Sequence, residues 1–362
     1  MTKIKVGLLF GGRSGEHEVS LNSAFAIANA LNPEKYSVIP IAIGKNGKWY
    51  APVEIHDIKA FVPKNYSNNE VAILPQPNSG LISLKNNQKL TDLDVIFPII
   101  HGTNGEDGTL QGLLEMASIP YVGTGVLGSA VGMDKIMMKK IFKYHNLPQV
   151  KFSYTSRALI ESNLEEVVVK LINELPFPMF VKPANLGSSV GISKAKNQEQ
   201  LREALLEASK YDSKIIIEEG KDIREVEVSV LGNANPQVSI PGEIIPSNEF
   251  YDYKAKYIDD RSILKIPAEL NADVINELKL LAVEAYLALD CAGLSRVDFF
   301  ICKKTNKIYI NEVNTLPGFT AISMYPKLWE YSGIKMPELL DQLISFAIEK
   351  YQDKIKNKTN YL

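Results

Sequence analysis

Polar residues that could do chemistry cluster first in the stretch 294–314. In Leu294-Ser295-Arg296-Val297-Asp298-Phe299-Phe300-Ile301, period-two alternation puts Arg296 and Asp298 on one face of a strand. Beyond a turn at 303–307, the same parity puts Ile310, Glu312 and Asn314 on one face of its neighbour. Two carboxylates and an amide oxygen then converge in otherwise apolar surroundings, where unpaired carboxylates would be costly to bury. Hard divalent cations take such oxygen ligands, and Mg2+ typically combines one or two carboxylates with substrate phosphates. An ion pair of Arg296 with Asp298 or Glu312 accounts for the same residue types and stands as the competing reading.

Three further segments could meet a ligand. Phe180-Val181-Lys182-Pro183 ends an apolar strand on a lysine, and Ala184-Asn185-Leu186-Gly187-Ser188-Ser189 follows. Small residues let backbone N–H groups approach a polyphosphate while the lysine supplies positive charge. The pattern is not a Walker A loop, since no GxxxxGK[ST] occurs; a hairpin turn with a surface lysine would look alike. His101 opens a segment with four glycines in twelve residues, running to Gly112. Such a run implies unusual backbone angles and then a helix start with acidic residues in its first turn. A lone histidine is more often structural than catalytic. Gly11-Gly12-Arg13-Ser14-Gly15-Glu16 lacks dinucleotide GxGxxG spacing; Glu16 would suit a substrate ammonium, or simply compensate a helix N-terminus.

These residues need elements to hold them. Strands are expected at 4–10, 36–43 and 93–100 with a helix at 19–31, which argues for a parallel α/β sheet in the first third. Residues 60–92 read as short strands and loops. One helix is expected over 127–144, then an α+β unit with helices at 164–174 and 198–209 and strands at 178–182, 190–194 and 214–219. From Arg224 onward the alternation suggests an antiparallel sheet with one wet face, interrupted by a tyrosine-rich loop at 250–257. Helices at 272–289 and 337–356 flank the 294–314 hairpin.

With 362 residues the chain is too long for one comfortable core, so two or three domains are expected. Hydrophobic residues at 45% and charged residues at 23% place it among ordinary globular proteins. A net charge of −2 without a basic stripe argues against nucleic acid or anionic membrane as partner. Only Cys291 and Cys302 are present, which suggests buried, inert thiols in a reducing compartment. No signal peptide and no bilayer-length apolar run is apparent, so a cytoplasmic protein is expected.

Taken in order, FGGRSGEHEVS, HGTNGEDGTLQG, MDKIMMK, FVKPANLGSSVGIS, IIIEEGKDIREVEVSVLG, YDYKAKY, GLSRVDFF and NEVNTLPGFT resemble the D-alanine–D-alanine ligases of the ATP-grasp superfamily. The resemblance covers nearly the whole chain. It implies an ATP-grasp fold, α/β and in part α+β. Residues 1–133 would form a parallel α/β substrate-binding domain, 134–220 a central ATP-grasp subdomain, and 221–362 a C-terminal domain with an antiparallel sheet.

The implied reaction joins two D-alanines through an acyl phosphate, with ATP as substrate and two Mg2+ (or Mn2+), for peptidoglycan precursor synthesis. By the same resemblance Asp298, Glu312 and Asn314 are metal ligands, with Glu312 bridging two ions. Lys135 and Lys182 match the α/β-phosphate lysines and Lys256 the γ-phosphate lysine. Glu225 matches the ribose contact, and Glu218 and Glu219 the adenine segment. Glu16 matches the anchor of the first ammonium, held by Ser188 and Tyr257. Arg296 and the Gly318 amide match oxyanion stabilisers, Ser323 a contact to the second carboxylate, and His101 a secondary neighbour of the first substrate. A homodimer is the implied assembly.

By the same resemblance Tyr257 favours an amine as second nucleophile over D-lactate, and closure of a 247–265 lid over ATP is expected. Thr103-Asn104 and Glu219 depart mildly from the family's usual residues. The nearest alternative is a ligase that uses D-lactate or D-serine. A Rossmann-type oxidoreductase would leave the 296–314 cluster unexplained, and a non-catalytic nucleotide-binding module would be expected to have lost the metal ligands.

Overall fold

A computed structural model describes residues 2–188, 190–245 and 263–358. Strand β1 (Ile4–Gly11) is almost wholly apolar and lies buried, as a strand covered on both faces must. It pairs in parallel with β2 (Tyr36–Ile43) and β7 (Val95–Ile99), and α1 (His17–Ala30) packs beside it. The expected parallel sheet is therefore present, but only as the three strands β2-β1-β7 at one end of a larger sheet. The short strands β3 (Trp49–Tyr50), β4 (Glu70–Ile73), β5 (Leu81–Ser83) and β6 (Lys89–Thr91) extend it antiparallel, in the order β6-β5-β4-β3-β2-β1-β7.

After α2 (Thr109–Ala117), the helix expected over 127–144 is two, α3 (Val126–Met133) and α4 (Lys135–Tyr144). Asp134 between them is extended (φ −82°, ψ 97°), and its carboxylate accepts the Ile136 and Met137 N–H groups as an N-cap. The break puts Lys135 on the first turn of α4, where its own N–H reaches the Ala184 carbonyl at 3.1 Å.

A second sheet runs β10-β9-β11-β8 through β8 (Phe152–Ser156), β9 (Met179–Pro183), β10 (Ser193–Ala195) and β11 (Lys214–Glu219). The helices α5 (Arg157–Glu174) and α6 (Gln198–Ala208) cover one face. The third sheet is antiparallel and comprises β12 (Ile223–Gly232), β13 (Gln237–Val238), β14 (Gly242–Ile245), β15 (Ile263–Lys265), β16 (Gly293–Cys302) and β17 (Ile308–Asn314). Its Val226, Val228, Val297, Phe299 and Ile301 bury against α7 (Ala272–Ala288).

The wet face expected on β12 is only partly wet. Glu227 is 6% exposed and Ser229 fully buried, because α8 (Met324–Tyr331) and α9 (Met336–Lys354) roof that side. Ser229 donates to the Tyr325 carbonyl at 3.3 Å. One core joins the first sheet to these closing helices, with the Phe97 and Phe319 rings edge to face at 5.9 Å. Burying side chains of this size stabilises by about 2 kcal/mol each.

Candidate active site

The 294–314 stretch forms the expected hairpin, with one change in register. Between Asp298 and Phe299 the pairing shifts, so Phe299 faces Ile310 while Asp298 faces Glu312. Asn311 is the extra residue of a β-bulge. Ile310 therefore does not share a face with Glu312 and Asn314: it lies fully buried in the core with Phe299. The bulge restores Glu312 and Asn314 to the side of Asp298 and Arg296.

On that side Arg296 grips Asp298 in bidentate fashion, Nε to Oδ1 and Nη2 to Oδ2, each at 2.7 Å. Its Nε also lies 2.9 Å from Glu227 Oε2. Burial opposes the Arg296 charge, but Asp298 and Glu227 override it and hold the guanidinium pKa well above its ordinary value. Arg296 thus bonds a neighbour on its face rather than merely sharing it, as the ion-pair reading required. The donor set of Asp298, Glu312 and Asn314 is all oxygen. No group of three His, Cys, Asp or Glu side chains able to hold a metal occurs among the described residues. The set fits a cation such as Mg2+, which uses one or two carboxylates and completes its shell with phosphate and water.

Across the cleft, β9 and β11 bring Lys182 2.5 Å from Glu218, whose other oxygen lies 2.8 Å from Lys139. All three residues are buried. Burial alone would raise the Glu218 carboxyl pKa, yet the two ammonium groups bring it down to about 2. Burial likewise disfavours the Lys182 charge, but Glu218, with Glu312 and Glu225 further off, raises its pKa. Lys135 closes the gap between the sheets. Its Nζ donates to the Leu186 carbonyl at 2.9 Å and lies 3.4 Å from the Glu312 carboxylate. Glu219 turns instead to the Lys151 N–H and the Lys221 ammonium, each at 2.9 Å.

The third group gathers around Glu16. Although Glu16 occupies the N-cap of α1, its side chain makes no capping bond, and the first-turn acid is Glu18. Its carboxylate accepts a short hydrogen bond from the Ser188 hydroxyl instead. A Cβ on Gly102 would sit 2.9 Å from Glu16 Oε2, and one on Gly187 3.3 Å away. Glycine at both places lets two loops close on one carboxylate.

His101, buried next to this group, donates from Nδ1 to the Leu316 carbonyl at 3.2 Å and lies 4.0 Å from Glu106. Burial works against its charge, but Glu106 and Glu16 raise its pKa. Glu106 does not start a helix: it accepts the Gly102 N–H at 2.6 Å, and α2 begins after a left-handed Gly108. Ser23 Oγ accepts the Phe319 N–H at 3.2 Å, beside Gly318. Ser323 Oγ accepts the Thr320 N–H at 3.0 Å and would lie 2.8 Å from a Cβ on Gly318.

A chain of contacts thus joins the charge groups, from Glu16 and Ser188 through the Leu186 carbonyl and Lys135 to the Asp298–Glu312 face. Lys256, Tyr257 and most of the expected 247–265 lid, with its 250–257 loop, lie outside the described residues. Sequence reasoning passed over Glu227, Lys139, Glu106 and Ser23. The alternation of Glu225, Glu227 and Ser229 could have pointed to Glu227, since it shares the parity of a residue already singled out. Of the cysteines, Cys291 is buried with its thiol pushed up to about 12. Cys302 corrects the expectation of two buried thiols: it is partly exposed, and hydrogen bonds from Thr305 lower its pKa.

The family model described as D-ala D-ala ligase N-terminus matches residues 5–124, and that described as D-ala D-ala ligase C-terminus matches residues 141–345. A D-alanine–D-alanine ligase of Natranaerobius thermophilus is 51% identical, covering 100% of this chain and 99% of the relative. One from Acetivibrio thermocellus is 49% identical, with 98% of each chain covered. Among solved structures, the D-alanine–D-alanine ligase of Coxiella burnetii superposes with a TM-score of 0.86 at 36% identity, covering 98% of this chain and 97% of that one. The VanG D-Ala:D-Ser ligase of Enterococcus faecalis superposes with a TM-score of 0.85 at 36% identity, covering 96% and 100%.

Proposed function

Because the chain belongs to the D-alanine–D-alanine ligase family and shares the ATP-grasp fold of its solved relatives, we propose that it joins two D-alanine molecules with ATP. A carboxylate oxygen of the first D-alanine attacks the γ-phosphorus, the bond to ADP breaks, and an acyl phosphate results. The amine of the second then attacks the acyl carbon and loses a proton, and phosphate departs with the oxygen it gained from the carboxylate.

Phosphoryl transfer depends mainly on positioning and charge neutralisation. One observation carries the reading: Lys135 links the loop carbonyl of Leu186 to the Glu312 carboxylate, so a lysine-lined phosphate site and an acidic face share one cleft. Lys135 and Lys182 would hold the polyphosphate, and Glu218 keeps Lys182 charged and aimed. Glu225 would take the ribose and the 218–219 backbone the adenine, since both carboxylates there are turned to protein donors.

Asp298, Glu312 and Asn314 would hold Mg2+ or Mn2+, with Glu312 serving both ions, and bound cations there would supply positive charge to neutralise phosphate oxygens. Glu16 would take the first ammonium, oriented by the Ser188 hydrogen bond, with His101 beside it. Arg296 and the Gly318 N–H would stabilise the tetrahedral oxyanion. Ser323 would meet the second carboxylate.

The likeness to VanG favours one second reading, with D-serine as second substrate. The D-alanine–D-alanine ligases at 49–51% identity support the first. Phosphate release measured with D-alanine plus D-alanine, D-serine or D-lactate separates them. Product only from a D-serine or D-lactate mixture would overturn the D-alanine assignment.

The same reading makes the chain a cytoplasmic supplier of peptidoglycan precursor and a homodimer. Its net charge of −2 and the lack, among the described residues, of a helix long and apolar enough to cross a membrane support partners that are small molecules. Light scattering at the mass of one chain would remove the dimer from the proposal.

A further inference from the structure

We propose that Glu227 is a positioning residue that receives the Arg296 guanidinium when Asp298 turns its oxygens to a bound cation. The proposal rests on the metal-holding role given above to Asp298. Across β12, β16 and β17, Glu227, Asp298 and Glu312 stand opposite one another in a single row. Exposure falls along that row: the Glu312 side chain is 28% exposed, Asp298 13% and Glu227 8%. The two outer carboxylates face the cleft, and the innermost is roofed by the closing helices.

Arg296 is one step along the strand, opposite Ser229 and Asn314, and its guanidinium reaches back to the row. Both Asp298 oxygens are engaged by it at 2.7 Å. A divalent cation on the same carboxylate would face that guanidinium at close range, and their repulsion favours moving Arg296 off Asp298. A buried guanidinium without a counter-charge would be costly. Glu227 supplies one already in place: its Oε2 is 2.9 Å from Arg296 Nε. It sits on a strand paired on both sides, so the exchange needs side-chain torsions of Arg296 and no backbone movement. Arg296 then stays on the face where the oxyanion forms, while Asp298 is released to the cation.

The test is Mn2+ binding to the full-length protein in the presence of ADP, followed by the electron paramagnetic resonance signal of free Mn2+. Glu227→Gln should raise the Mn2+ dissociation constant by about tenfold or more, the scale typical of groups that orient metal ligands. Its melting temperature without metal should stay near the parent's, because Arg296 keeps Asp298. In an Arg296→Gln background, where the guanidinium no longer holds Asp298, adding Glu227→Gln should change the constant by less than about twofold.

Equal Mn2+ affinity in the parent and Glu227→Gln would overturn the proposal. So would an equal loss in both backgrounds, which would mean that Glu227 acts only through its charge. A parent protein that binds no Mn2+ would instead overturn the metal assignment of Asp298. Should Glu227→Gln fail to fold, Glu227→Asp, shorter by one methylene, is read in the same way.

Discussion

Asp298 and Glu312 face each other across β16 and β17 only because Asn311 bulges out between Ile310 and Glu312. Without that extra residue, strict alternation would turn Glu312 towards the core. The pair is the acidic end of the cleft, and neutralising either side chain should disable it. Asp298→Asn and Glu312→Gln are expected to lower turnover by roughly a hundredfold or more while a cooperative melt is retained. Steady-state phosphate release with circular dichroism melts checks this; a fully active variant would contradict the role given to the pair.

Glu16 and Ser188 meet from loops 172 positions apart. A charge-assisted hydrogen bond of this kind contributes about 1.5–3 kcal/mol. Ser188→Ala should therefore lower kcat/KM for D-alanine by roughly tenfold, and Glu16→Gln by more, with the KM for ATP little changed. An ATP effect as large as the D-alanine effect would show that this corner serves the nucleotide instead.

Glu218 predicts an acid dependence. Its carboxyl falls from an ordinary 4.5 to about 2 in the folded state. A depressed carboxyl contributes stability that is complete above pH 4.5 and is lost as pH falls towards 2. Glu218→Gln should cost about 3 kcal/mol at neutral pH, because Lys139 and Lys182 lose their shared counter-charge. It should also flatten the stability profile between pH 4.5 and 2. Denaturant melts at several pH values that ran parallel for parent and variant would contradict the assignment.

His101 predicts the opposite sign. Its folded pKa is raised above 6.5, so the contribution of its charge is present below pH 6.5 and is lost as pH rises through the elevated value. Glu106 supplies the upward pull. In Glu106→Gln, burial should weigh more heavily and lower the imidazole pKa from its elevated value. Proton NMR of the ring resonances, assigned with a His101→Gln variant, reads this directly; an unchanged titration would remove Glu106 from the site.

Much of this arrangement was legible in the residues. Tyr36–Ile43 and Lys214–Glu219 form strands at the expected bounds, since each is a compact β-branched run between turns. Period-two parity placed Asp298 with Arg296, and Glu312 with Asn314. It misplaced Ile310, because a bulge is visible only in the pairing of two strands. The apolar run through 127–144 hid the break at Asp134, whose capping bonds depend on a conformation that propensity does not specify. The α8 helix was missed, since its eight residues are few and Pro326 in the first turn reads as a breaker. The burial of Glu227 could not be read from β12, because the roof that covers it comes from helices a hundred positions further on.

On the proposed route the carboxylate of one D-alanine becomes an acyl phosphate before the second D-alanine attacks. D-alanine labelled with oxygen-18 in both carboxylate oxygens, turned over with unlabelled ATP, tests it most directly by mass spectrometry of the released phosphate. One labelled oxygen in each phosphate, with D-alanyl-D-alanine as the coupled product, is the expected result. Phosphate released without label would contradict it.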